Sequence, residues 1–240
     1  MNHHKKILSV LVCVVLFATL TITPATALNY DSNQNKVLNA VQIKELETQI
    51  HALNKEFPDA NLSVSRAISH TNEMLSLNRD ARSQYIRTLF SNEPQEEYTV
   101  IDGNEVKTLK VYAAGAYEVA GRTLGSSTSS GTTTTYQNTQ VYVRYIIGVS
   151  GFEMSYKVNH IHSPSGSTVT STHSVASTFG QNNIANYRVS GKTIVNGTGA
   201  QAVVTGDVDL WDATGSTWAY LYTLTLTFSA STLQASVSSY

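Results

Sequence analysis

The chain has a single cysteine, Cys13, and it lies inside the apolar stretch near the N-terminus. The stretch opens on basic Met1–Lys6, runs apolar from Ile7 to about Ile22 and closes on Pro24-Ala25-Thr26-Ala27, the pattern of a secretory signal peptide over residues 1–27 cleaved after Ala27. Val12 precedes Cys13, and no small residue leads into it as a lipid-modified cysteine would require. Cleavage removes the thiol, so disulfide and thiol chemistry are excluded from the mature chain. Long apolar runs are missing after the leader, so no transmembrane helix is expected in the mature chain. Localisation is therefore read as secreted.

Charge is also scarce, at 14% of residues, with 16 basic against 17 acidic. Loss of Lys5 and Lys6 leaves a net charge of about −3, which argues against nucleic acid or an anionic membrane surface as an electrostatic partner. Ser, Thr, Asn and Tyr take the place of charge. Such a surface suits carbohydrate, protein or a membrane surface as partner.

Proline is rare, with four in the chain, so extended segments have few interruptions. Apolar spacing of three to five residues over Val37–Phe57 predicts a helix ended by Pro58-Asp59. A second helical stripe runs over Leu62–Phe90, broken near Asn78-Arg79-Asp80 with Asp80 as a cap. Residues 28–92 are thus read as a helical segment. Ser91–Glu97 marks a change of period, and residues 97–240 alternate as strands. Tyr98–Ile101 and Val106–Tyr112 flank Asp102-Gly103 as a hairpin. Gly125–Thr134 is low in complexity and is expected to be a flexible loop. Val141, Val143, Tyr145, Ile147 and Val149 share one face, as do Phe152, Met154, Tyr156 and Val158. Trp218, Tyr220, Tyr222, Leu224, Leu226 and Phe228 line a central core strand, and the tail beyond Ser231 adds an edge. The fold class expected is α+β, an N-terminal helical hairpin followed by a mainly antiparallel β-sandwich or open barrel.

Nucleophile signatures are absent. No G-x-S-x-G surrounds a serine, and there is no H-E-x-x-H. Three weaker groupings stand out. His160 and His162 are two apart on a strand and point to one face, so they are candidate ligands of a divalent metal, with His173 across the hairpin as a third. The register decides this. A loop at Ser163–Gly166 sets His160 opposite Val169 and Tyr156 opposite His173, which keeps His173 about 13 Å from His160. A loop at Ser165–Thr168 would put His160 opposite His173. Pro164 favours the first. Asp207, Asp209 and Asp212 form D-V-D-L-W-D, a candidate calcium cluster, although Trp211 holds a ligand position of the helix-loop-helix calcium motif and no glycine follows Asp212. Tyr136 and Tyr142 are candidates for stacking on a ligand.

These features support a secreted or cell-envelope-associated, non-enzymatic binding or surface module. The alternatives are a membrane-active, pore-forming-like β protein, in which apolar and polar residues alternate along crossing strands, and a metal-dependent hydrolase using His160 and His162. A divalent metal is the one cofactor the sequence suggests.

Overall fold

The computed structural model describes residues 37–78, 92–148, 150–179, 186–195, 199–211 and 222–239, with 81, 84, 85 and 88 between them. Residues 1–27, read above as a signal peptide, and Asp80, Asp212, Trp218 and Tyr220 lie outside the described residues.

Helix α1 spans Ala40–Glu56 and α2 spans Val64–Ser76. Asn39 caps α1, its Oδ1 accepting from the amides of Val41 and Gln42, and Gln42 returns the bond to the Asn39 amide. Pro58 opens a short 3-10 turn, as a ring without an N–H allows. The connection is closed by Asn54, whose amide donates to the Leu62 carbonyl while its Oδ1 accepts from the Leu62 N–H. Leu38 N donates to Asn72 Oδ1 at 2.7 Å, fastening the start of α1 to α2. At the break after α2, Asn78 Oδ1 accepts from Ala81 N, the bond of a helix N-cap.

Among the described residues eleven antiparallel strands follow: β1 (Glu96–Asp102), β2 (Glu105–Val111), β3 (Ala116–Thr123), β4 (Ser126–Ser130), β5 (Thr133–Ile147), β6 (Ser150–His162), β7 (Thr168–Phe179), β8 (Asn186–Val195), β9 (Gln201–Trp211), β10 (Tyr222–Ser229) and β11 (Gln234–Ser239). The first sheet has seven strands in the order β1-β2-β3-β5-β6-β7, with β4 on the free part of β5; the second has four, ordered β11-β10-β9-β8. The expected class, α+β with a helical hairpin ahead of an antiparallel β region, is what the chain adopts.

One face of the first sheet carries Val141, Val143, Tyr145, Met154, Tyr156, Val158 and His160, all buried. The second sheet covers part of it. Tyr156 Oη donates to the Ala202 carbonyl at 3.1 Å, and Leu224, Leu226 and Phe228 are fully buried. This is a sandwich of two sheets. The opposite face meets α1, where Glu56 pairs with Arg144 at 2.7 Å and with Lys107 at 3.4 Å. Helices and both sheets contribute to a single hydrophobic core.

Two strand expectations are corrected. Gly125–Thr134 is not a loop: β4 and the start of β5 form a hairpin arm, with Ser126 opposite Gln137 and Ser130 opposite Thr133. A Cβ at residue 125 would collide with the Gln137 carbonyl, so only glycine lets the two backbones approach there. The second correction concerns β7. The turn forms at Ser163–Gly166, with Gly166 N bonded to the Ser163 carbonyl, and His160 lies opposite Val169 as the favoured register requires. A bulge between Asn159 and His160 then shifts the pairing by one residue, so His173 faces Lys157 rather than Tyr156, and a second, between Ser155 and Lys157, shifts it again beyond His173. One inserted residue carries the side chains that follow to the other face.

Candidate functional site

The bulges split the sequence-predicted histidines between the two faces of the first sheet. His160 points into the sandwich and is fully buried. Its ring stacks on Tyr136 at 4.8 Å and is tilted against Phe228 at 4.8 Å. Its Nε2 lies 3.0 Å from Thr139 Oγ1, while its Nδ1 makes no hydrogen bond among the described residues. Burial, and then the nearby His162 and Arg122, lower its pKa to about 4, so the ring is neutral at neutral pH. His162, on the same side, donates from Nδ1 to the Ala230 carbonyl at 2.9 Å. His173 lies on the opposite face with its Nε2 2.7 Å from Asn138 Oδ1. The expected His160–His162–His173 centre is therefore not assembled. Among the described residues no three His, Cys, Asp or Glu side chains come together to hold a metal.

The tyrosines expected to stack on a ligand turn to protein partners. Tyr136 covers His160. Tyr142 donates from Oη to Glu105 Oε1 at 3.2 Å and packs over Gly121, and burial raises its pKa. Asp207 and Asp209 lie in β9, opposite Thr223 and Arg188 respectively.

An array the sequence reading missed occupies the outer face, away from the second sheet. It begins at the bulge in β5 between Tyr136 and Thr139, where Asn138 takes a left-handed conformation (φ 59°). Asparagine tolerates this region better than other residues with a Cβ. The Asn138 backbone N–H donates to Asn159 Oδ1 at 2.8 Å, and Asn159 Nδ2 donates to Ser171 Oγ at 2.9 Å. With Asn138 Oδ1 as acceptor, His173 carries a proton on Nε2 and presents Nδ1 as an acceptor. Lys157 sits between His173 and Gln140 across the strands. Asn138, Gln140 and Lys157 are exposed, and Asn159, Ser171 and His173 are partly so. Three strands thus hold amide, hydroxyl and imidazole groups in fixed positions at an open surface. The partner of Ser171 is the Asn159 amide, which donates to the hydroxyl and takes no proton from it. The signal available in the sequence was Gln137-Asn138 interrupting the alternation of β5, a pattern that marks a bulge.

No protein-family model matches the chain, and no curated protein matches it. Among solved structures it is similar to the hypothetical protein lmo2686 from Listeria monocytogenes EGD-e, at 18% identity over 59% of this chain and 99% of that one, with a TM-score of 0.29. Among the described residues no helix is long and apolar enough to cross a membrane.

Proposed function

We propose that the protein is an exported, non-enzymatic binding module whose contact surface is the outer face of β5, β6 and β7. The observation that carries this reading is the pre-tied array Asn138–His173 and Asn159–Ser171. Polar groups held by one another on an open sheet face lose little freedom when a partner arrives, which favours binding. The leader read in residues 1–27 supplies the route out of the cell.

The test is retention of the full mature chain on insoluble polysaccharides, phospholipid vesicles and immobilised protein, read by co-sedimentation. Retention on one class, lost in an Asn138→Gly/His173→Gln double variant, is expected. Retention unchanged in that variant would move the contact surface elsewhere. Turnover of peptide, ester or glycoside substrates would overturn the non-enzymatic reading. Dye release from vesicles would favour a membrane-active protein instead; β5, β6 and β7, at 15, 13 and 12 residues, exceed the length a crossing strand needs.

A further inference from the structure

We propose that the outer-face array binds a neutral carbohydrate, an inference that rests on that face being the contact surface. The argument is one of hydrogen-bond inventory. After the internal bonds are made, Asn138 keeps both Nδ2 protons, Ser171 keeps its hydroxyl proton and His173 keeps Nδ1 as an acceptor. Free donors on β5 and β7 and a free acceptor on β7 therefore share one face, across three strands spaced about 4.8 Å apart. A sugar hydroxyl both donates and accepts, and a ring presents several such groups in fixed order. The array offers groups of both kinds on one face, as that chemistry requires.

Other partners fit less well. An anionic polymer or an anionic lipid surface calls for several cations, and Lys157 is the one cation in the array. A protein partner of ordinary affinity calls for a large apolar or aromatic anchor at its centre. The large apolar side chains most exposed among the described residues, Val37, Val41 and Ile101, lie beside or within α1 and on β1, elements that contribute nothing to the array. The internal bonds also hold Asn159 and His173 in place before any ligand arrives, which reduces the side-chain ordering that binding must pay for.

The experiment is isothermal titration of the full mature chain with maltohexaose, cellohexaose, mannohexaose and N-acetylchitohexaose, beside polygalacturonate and phosphatidylglycerol vesicles as charged probes. Binding of at least one neutral hexaose is expected. It should weaken about tenfold or more, the loss of one or two hydrogen bonds, in Asn138→Gly and in His173→Gln. Asn138→Gly keeps the left-handed backbone and removes only the amide. His173→Gln keeps a donor for Asn138 and removes the imidazole acceptor. Thr99→Ala on β1 should bind as the wild type does. If no neutral hexaose binds, the proposal fails. If polygalacturonate or vesicles bind instead and Asn138→Gly abolishes that binding, the ligand class is wrong while the contact face stands. If a hexaose binds equally well to both variants, the contact face itself is wrong, and the proposal falls with it.

Discussion

Arg122 Nε donates to the carbonyl of Leu233 at 2.7 Å, joining β3 of the first sheet to the turn between β10 and β11 of the second. The same guanidinium donates from Nη1 to the Asn104 carbonyl, in the turn between β1 and β2. One side chain thus ties two turns to the centre of the sandwich. Burial lowers the Arg122 pKa from its ordinary value, but the group remains a cation at any ordinary pH.

Replacing Arg122 by methionine keeps much of the stem's packing and removes both bonds, leaving two carbonyls short of a donor. The expected cost is about 3 kcal/mol, since bonds from a charged donor are worth about 1.5–3 kcal/mol each. Lysine reaches only one carbonyl and should recover part of the loss. Urea midpoints of the three proteins check this. An Arg122→Met protein as stable as the wild type would show that the sheets do not depend on this tie.

His160 makes the fold sensitive to acid. Its pKa falls from an ordinary 6.5 to about 4 in the folded chain because the ring is buried, with His162 and Arg122 adding like charge. The other groups packed on it are Tyr136, Phe228 and Thr139. The unfolded chain takes up the proton first. Stability is therefore full above about pH 6.5 and declines as the pH falls to about 4, by up to about 3 kcal/mol. His160→Leu should flatten stability over that window, whatever it does to stability at neutral pH. Chemical unfolding of both proteins at pH 4.5, 5.5 and 7 reads the difference. A slope unchanged in His160→Leu would assign the acid sensitivity to another group.

Much of the architecture was legible because strand period and apolar chemistry agree. Met154, Tyr156 and Val158 alternate with polar neighbours and all three are buried, and Leu224, Leu226 and Phe228 behave the same way. Asp102-Gly103 marked its hairpin, and Gly103 has φ 56° there. The site was not legible, because it depends on bulges. Asn138 and Ser174 take left-handed conformations within strands, and each shift reverses which face the next residues occupy. Alternation alone put Val169 and His173 on one face, whereas the shift between the Val169 and Ser171 pairings separates them. The arm at Ser126–Ser130 was hidden for another reason. Serine has little strand preference of its own, and this segment becomes a strand because Thr133–Gln137 offers it a partner.

The helices are docked on the sheet through a contact that a double-mutant cycle can isolate. Gly148, just beyond β5, has φ 58°, and a Cβ there would fall 2.8 Å from Thr71 Cγ2 on α2. Thr71 is itself buried and donates from Oγ1 to the Ala67 carbonyl at 2.8 Å, so it cannot turn away without giving up that bond. Gly148→Ala therefore meets two costs. The left-handed backbone penalty is about 1 kcal/mol, and the steric conflict with the helix adds about 1–2 kcal/mol. Thr71→Ser removes Cγ2 while keeping the hydroxyl, so it relieves the conflict and leaves the backbone penalty in place. The two substitutions together should cost about 1 kcal/mol less than the sum of each alone, measured by urea unfolding. Strict additivity would mean that α2 does not press on this end of the sheet. A coupling of the expected size would show that the helical segment is part of the folded body, since a segment that had left the sheet could not feel the added methyl group.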